Sequence, residues 1–165
     1  MTVSSAQGAL KLVSNDDPRT DAEDQIIEQA FAILDRRFAV GETMTDPAAA
    51  GNYIKAKLME YDYEVFAVLF LDTRHRVLGF EEMFRGTIDG AEVHPREVVK
   101  RALEFNCAAV ILGHQHPSGC PEPSAADRAV TAQLKQALAL VDVRVLDHFV
   151  VGEGKPVSMA ARGWV

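Results

Sequence analysis

The sequence has few cysteines, no long apolar run and no excess of basic residues, and each of these absences excludes a class of protein. Its two cysteines, Cys107 and Cys120, form no CxxC pair, and two thiols do not build a disulfide framework. No apolar run approaches the roughly 20 residues that a membrane-spanning helix needs. The net charge of −7 disfavours strong nonspecific binding to nucleic acid, because such binding depends on a basic surface.

What the sequence does contain is the composition of an ordinary soluble globular protein, with 48% hydrophobic and 25% charged residues. A chain of 165 residues fits one domain with a sizeable core. Residues 1–20 are polar and predict a flexible tail. Because residues 1–14 lack the basic start and apolar core of a signal peptide, we expect a cytoplasmic location.

Residues 21–60 predict an N-terminal helical segment with two helices. The first runs from Asp21 to Phe38 and carries an amphipathic stripe of Ile27, Phe31 and Leu34. Asp46-Pro47 begins the second, whose apolar face holds Tyr53, Ile54 and Leu58. The stripe of the first helix can pack on its own domain or on a second copy, so a homo-oligomer remains open.

From residue 61 to residue 165 the pattern alternates between strands and helices and predicts one domain. The continuous apolar run of residues 65–71 is typical of a buried strand. The further elements follow in the order strand 76–84, helix 95–105, strand 107–112, helix 124–140, and late strand material at 143–146 and 149–151. This order predicts a mixed α/β fold with a partly antiparallel sheet flanked by helices.

Two histidines directly follow the predicted strand 107–112. Residues two apart on a strand face the same side, so His114 and His116 can converge on one point. A lone histidine is more often a surface residue or a satisfied core residue than a metal ligand. A His-x-His pair at a strand end, followed by proline, is less often without a function, and it makes metal binding an open alternative.

A carboxylate that can join these histidines lies at the start of the next helix. Ser124-x-x-Asp127 resembles a capping box, with Asp in place of the usual Glu, and this structural interpretation is sufficient by itself. The two interpretations are compatible, because an Asp in the first helical turn has a fixed direction. Two neutral imidazoles and one carboxylate leave a fourth tetrahedral position open, which is the ligand set of a catalytic zinc ion.

A hydrolase built on such a site also needs a carboxylate outside the ligand set to take a proton from water. Glu64 directly precedes the apolar strand 65–71 and is available for that role. A charge at the start of a strand is commonly just solvated, so the composition alone gives this role little support.

Together these residues resemble a known family. Glu64, His114-x-His116-Pro117 and Ser124-x-x-Asp127 resemble the JAMM motif of the JAB/MPN metalloprotease superfamily. The resemblance covers about residues 60–165 and is closest to the RadC branch. The further segments that are similar to RadC-type sequences are Phe84-Arg85-Gly86-Thr87-Ile88, Val93-His94-Pro95-Arg96-Glu97-Val98, His116-Pro117-Ser118-Gly119 and Val145-Leu146-Asp147-His148.

The resemblance implies a JAB/MPN domain of the cytidine-deaminase-like fold and a zinc-dependent hydrolase. Carried over by position, it implies that His114, His116 and Asp127 bind Zn²⁺. It implies that Glu64 is the general base and that Ser124 stabilises an oxyanion. The expected substrate is a peptide or protein, cleaved at a peptide, isopeptide or related amide bond.

The sequence departs from the family pattern in two places. Gln115 stands between the histidines where RadC-type proteins usually have Asn, and we expect its amide to touch the substrate or to position the loop. Residues 1–60 are too few for the helix-hairpin-helix module of long RadC-type proteins, so direct DNA binding is not expected. The alternatives are a RadC-like DNA repair accessory protein and a non-catalytic binding module.

Five further residues carry weaker expectations. His94 is predicted to cap or pack at the start of a helix. Asp147-His148 is a candidate pair for orienting a metal ligand, since ligating imidazoles usually need such a partner. Cys120 is expected to be a loop residue rather than a competing soft ligand, and Trp164 is expected to be a packing anchor.

Overall fold

The computed structural model describes residues 18–86 and 91–165, and it describes side chains from residue 21 onward. Most of the predicted tail therefore lies outside the described residues. The described elements are α1 (Pro18–Arg37), α2 (Pro47–Leu58), β1 (Val65–Leu71), β2 (Val77–Arg85), α3 (Pro95–Glu104), β3 (Ala109–Gln115), α4 (Ala125–Ala139), β4 (Arg144–Val151), β5 (Val157–Ser158) and a 3₁₀ turn (Ala160–Arg162). The mixed α/β class is confirmed.

The strands form one sheet in the order β2-β1-β3-β4-β5. β1 is antiparallel to both β2 and β3, whereas β3 and β4 are parallel and are joined through α4. Every residue of β1 and β3 is buried, which explains why both strands are apolar along most of their length. The register pairs Phe66 with His114, so the start of β1 lies beside the end of β3.

The two faces of this sheet carry separate apolar clusters. On one face, Ala109 and Ile111 of β3 pack with α2, whose Ile54 and Leu58 are fully buried. On the other face, Val110 and Leu112 pack with α3 and α4. Helix α2 is thus part of the same core as the sheet. The predicted division of the chain at residue 60 stays a prediction.

Strand bounds differ from the predicted ones where polar residues are buried. The two pieces of late strand material are a single strand, β4, which runs straight through Asp147 and His148. Both of these side chains are buried and hydrogen-bonded, so their polarity does not interrupt the strand. β3 likewise continues beyond Leu112 to Gln115. This extension places His114 inside the strand.

The expectations for α1 and Trp164 are only partly met. Leu34 packs against the core, but Ile27 is 48% exposed, so the first half of the predicted stripe lies on the surface of the described chain. Trp164 is 37% exposed, and the guanidinium groups of Arg128 and Arg162 lie over its ring, at 4.9 and 5.2 Å from the centroid. Within the described residues, no helix has both the length and the apolar character that crossing a membrane requires.

Candidate metal centre

The end of β3 places two histidines on one side of the sheet. His114 is 1% exposed and stacks on Phe66, with ring centroids 6.1 Å apart. His116 follows the strand, and its backbone N–H donates to the carbonyl of Val151 in β4, at 2.8 Å. This bond fixes the backbone of His116 just where the chain leaves the sheet.

The first turn of α4 supplies the carboxylate. Ser124 is the N-cap, and its hydroxyl oxygen accepts from the N–H of Asp127, at 3.1 Å. The carboxylate of Asp127 accepts in return from the N–H of Ser124, at 2.6 Å. The predicted capping box is therefore confirmed. It fixes the direction in which the Asp127 side chain points.

The side chains of His114, His116 and Asp127 meet at one point. The two Nε2 atoms lie 2.9 Å apart, and the Asp127 oxygens lie 3.0 Å from Nε2 of His114 and 3.3 Å from Nε2 of His116. Tetrahedral zinc with bonds of about 2.0–2.1 Å places its ligand atoms roughly 3.3 Å apart. The three residues can hold a metal ion with little movement.

A chain of hydrogen bonds sets the tautomer of His114. The Asp127 carbonyl can only accept, so the Thr131 hydroxyl donates its single proton there, at 2.6 Å. Thr131 must then accept from Nδ1–H of His148, at 2.6 Å. Nε2 of His148 is left to accept from Nδ1–H of His114, at 2.7 Å. Nε2 of His114 therefore presents a lone pair to the site.

The loop that follows His116 sets the same tautomer for this residue, with the proton on Nδ1. Its Nδ1 lies 2.8 Å from the carbonyl oxygen of Cys120, which can only accept, so Nδ1 carries the proton and Nε2 carries a lone pair. Two imidazole lone pairs and one carboxylate thus converge, and a cation satisfies all three. The exposed thiol of Cys120 takes no part in this cluster, which agrees with its expected role as a loop residue.

The shifted pKa values show that the cluster favours positive charge beside Asp127. Burial opposes ionisation of Asp127, but the nearby imidazoles of His114 and His116 outweigh it and hold the pKa of Asp127 well below its usual range. The same contact with Asp127 raises the pKa of His116 above its usual value. Burial, reinforced by His114, lowers the pKa of His148 well below its usual value, so His148 is neutral as the hydrogen-bond chain requires.

The cluster opens onto a cleft of about 380 Å³. Glu64 lines this cleft together with His116, Ser124 and Asp127. Glu64 is half-buried and does not belong to the ligand cluster of the described residues. The cleft also has an apolar wall, which consists of Phe66, Ala91, Val93, Ala126 and Val130. The structure thus brings all five predicted site residues to one place, while their individual roles stay predictions.

The hydroxyl of Ser124 is engaged within the protein. It donates to Oδ2 of Asp127, at 2.7 Å, and a hydroxyl has a single proton to donate. Ser124 can serve an oxyanion only after this hydroxyl rotates away from Asp127. Its predicted catalytic role requires that rotation.

Sequence reasoning missed Thr131 and proposed Asp147-His148 as one pair that orients a ligand, whereas the structure gives the two residues separate contacts. His148 does contact a ligand, but the Asp147 carboxylate instead accepts from Ser158 Oγ at 2.6 Å and from the N–H of Ala160 at 2.9 Å. These bonds fix the chain after β4 rather than the metal site. The spacing of Thr131, four residues after Asp127 on the same helix face, was the available signal.

His94 has a packing role rather than a capping role. It occupies the N-cap position of α3, but its side chain makes no capping hydrogen bond. Its ring packs edge-on against Phe84, with centroids 5.9 Å apart.

Comparison with known proteins identifies similar chains. A chain from Xanthomonas campestris pv. campestris (strain 8004), named UPF0758 protein, is 65% identical over 125 residues, which are 76% of this chain and 56% of that relative. The UPF0758 protein of Xanthomonas oryzae pv. oryzae (strain PXO99A) is 64% identical over 125 residues, which are 76% of this chain and 56% of that relative. The UPF0758 protein of Nitrosococcus oceani is 63% identical over 123 residues, which are 74% of this chain and 55% of that relative. The chain spans about half the length of these curated relatives, and their names state no reaction or substrate.

A family model described as the RadC-like JAB domain matches residues 44–164. The match begins ahead of α2 and includes β1 to β5, α3 and α4, so it contains every residue of the metal cluster and Glu64. Because the match covers well over half of the sequence, the chain belongs to the RadC-like JAB domain family.

Proposed function

We propose that this protein is a zinc-dependent hydrolase of the JAMM type, which cleaves a peptide, isopeptide or related amide bond in a peptide or protein. The observation that carries the proposal is the convergence of two imidazole lone pairs and one carboxylate at a cleft that Glu64 also lines. Membership of the RadC-like JAB domain family supports it.

The donor set favours zinc among the common metals. Two imidazole nitrogens and one carboxylate oxygen are a frequent protein contribution to a catalytic zinc site, which keeps a further position for water or substrate. The cleft beside His116 and Asp127 provides access to that position. When bound, zinc supplies a Lewis acid that polarises a carbonyl and lowers the pKa of water toward about 7.

The residues of the chain then have separate tasks. Glu64 takes a proton from the attacking water at its carboxylate and passes it to the leaving amine. Ser124, once its hydroxyl rotates from Asp127, donates to the oxygen on which negative charge develops. One such donor contributes on the order of 3 kcal/mol to the transition state.

The first test of the proposal is the metal itself. We expect about one zinc ion per chain in untagged protein, measured by inductively coupled plasma mass spectrometry. His116→Ala and Asp127→Ala are each expected to lose it, because two ligands rarely hold zinc against water. A wild-type protein that binds no zinc after reconstitution contradicts the proposal.

The second test separates catalysis from metal binding. In Glu64→Gln we expect an unchanged zinc content and a hydrolysis rate lower by roughly 10²–10⁴-fold, because the amide cannot accept the proton. A library of fluorescence-quenched peptides and isopeptide-linked lysine peptides provides the substrates. The matched control is Glu60→Gln, an exposed carboxylate four residues earlier in the chain. Equal rates for wild type and Glu64→Gln would remove Glu64 from the mechanism.

A further inference from the structure

The side chain of Gln115 holds the backbone on both sides of Glu64. Its Oε1 accepts from the N–H of Val65, at 2.8 Å, and its Nε2 donates to the carbonyl of Tyr63. Gln115 is only 4% exposed. A single buried carboxamide therefore bonds to the residue before Glu64 and to the residue after it.

The reason for this arrangement lies in the end of the β1–β3 ladder. Backbone pairing between the two strands ends at Phe66 and His114, so the N–H of Val65 has no backbone partner in β3 and bonds to the Gln115 side chain instead. The polar backbone groups of Tyr63 and Val65 then face β3 without a peptide partner, and leaving them unpaired is costly. The Gln115 carboxamide, whose oxygen accepts and whose NH₂ group donates, takes the place of that peptide group. The same NH₂ group also donates to the carbonyl of Tyr61, at 3.3 Å.

Glu64 is also held from the opposite side of its strand. Its carbonyl accepts from the N–H of Gly86, just after β2, at 2.8 Å. The backbone at Glu64 is thus fixed between β2 and the Gln115 side chain. Fixed neighbours restrict the directions in which the Glu64 carboxylate can point.

Gln115 does this from the face of β3 that points away from the metal cluster. A Cβ at Gly113 would meet Ile54 of α2, so side chains at positions 113 and 115 point to the α2 side, opposite His114. Gln115 therefore acts on the site through Glu64 and not through the metal ligands. Its neighbours His114 and His116 belong to the metal cluster, whereas Gln115 contacts the backbone beside Glu64.

We propose that Gln115 is a positioning residue that sets the Glu64 carboxylate for proton transfer. This inference rests on the proposed function, because it assigns Gln115 to the residue that acts there as the base. A purely structural role for the carboxamide would change stability alone. A positioning role also changes interactions that depend on the Glu64 carboxylate, and only those.

The test uses acetohydroxamic acid as a probe, since its hydroxamate binds zinc and its acidic proton goes to a neighbouring carboxylate. We expect Glu64→Gln to weaken its binding to the zinc-loaded protein about tenfold, as for the loss of one charged hydrogen bond. Gln115→Met keeps the length of the side chain and removes its hydrogen bonds to Val65, Tyr63 and Tyr61. We expect a weakening of similar size, with no further weakening in the Glu64→Gln, Gln115→Met double variant.

Isothermal titration calorimetry measures these affinities, and zinc content is measured in parallel. Gln133→Met, the same exchange at an exposed position of α4, is the matched control and should bind like wild type. Gln115→Asn keeps a donor and an acceptor on a side chain shorter by one methylene, and it replaces Gln115→Met if that variant does not fold. We expect Gln115→Asn to bind more weakly than wild type.

The possible outcomes separate this inference from the function on which it rests. Normal probe binding in the folded Gln115 variants overturns the positioning role alone. The positioning role is also overturned if Gln115→Met weakens probe binding by the same factor in the wild-type protein and in Glu64→Gln. A wild-type protein that binds neither zinc nor the probe overturns the proposed function and the positioning role together. Weaker binding in Gln115→Met, with no further weakening when Gln115→Met is added to Glu64→Gln, supports both.

Discussion

The two faces of β3 show how one strand serves both a core and a site. On the α2 face, Ala109 and Ile111 pack into the apolar core. On the α3 and α4 face, Val110 and Leu112 do the same, but the strand then continues into His114, which is a metal-ligand candidate. His114-Gln115-His116 is one motif in the sequence. In the fold, Gln115 points to the α2 face and His114 to the opposite face, because strand side chains alternate.

The polar end of each face depends on partners that are distant in sequence. His114 is oriented by His148 of β4 and, through it, by Thr131 of α4. Gln115 bonds to Val65 at the start of β1 and to Tyr63 ahead of it. The apolar part of the strand is held by side-chain packing, whereas each polar end depends on particular hydrogen-bond partners. Substitutions on the two faces should therefore have different consequences.

Among substitutions that separate the two faces of β3, we expect the largest effect from one that breaks the hydrogen-bond chain to His114. His148→Phe keeps a ring of similar shape but leaves Nδ1 of His114 without its acceptor. We expect zinc affinity to fall roughly 10–100-fold, because partners that orient a ligating imidazole contribute about this much. Competition with a chromophoric chelator measures the affinity.

Thr131→Val is the graded control for that experiment. It removes the hydroxyl that sets the tautomer of His148 but leaves His148 itself in place. We expect a weakening smaller than that of His148→Phe. If both variants bind zinc like wild type, the hydrogen-bond chain does not tune the metal site.

A substitution on the opposite face should separate stability from metal binding. A Cβ at Gly113 would overlap the Cγ2 methyl of Ile54, so Gly113→Ala forces the Ile54 side chain or α2 to shift. Overpacking of this kind costs about 1–3 kcal/mol, which lowers Tm by about 2–4 °C per kcal/mol in a protein of this size. Calorimetry measures Tm, and zinc content at 20 °C should stay that of wild type. Loss of zinc in folded Gly113→Ala would show that the two faces are coupled.

The sequence predicted those features of the fold that depend on local patterns. The continuous apolar runs in β1 and β3 identified strands buried on both faces, and Ser124-x-x-Asp127 located the start of α4. It missed the continuity of β4, because Asp147 and His148 read as a polar interruption. Their burial is possible only because their hydrogen-bond partners come from other elements, which no local pattern reveals.

In the candidate site, too, the sequence identified some features and did not show others. Spacing and family resemblance identified His114, His116 and Asp127, because ligand types and their order along the chain are visible in the sequence. The sequence did not show that the hydroxyl of Ser124 donates to Asp127 or that Gln115 bonds to the backbone beside Glu64. Those contacts depend on the register between β1 and β3 and on side-chain direction.

The smallest expected effect concerns the contrast between the two helices on the α2 side of the sheet. Ile54 of α2 is fully buried, whereas Ile27 of α1 is 48% exposed although it belongs to the predicted apolar stripe. Ile27→Gln replaces it with a residue of equal or better helix propensity, so we expect the free energy of unfolding in urea to change by no more than about 0.5 kcal/mol. A loss well above about 1 kcal/mol, together with a smaller mass in analytical ultracentrifugation, would show instead that the stripe of α1 is covered by a second copy of the chain.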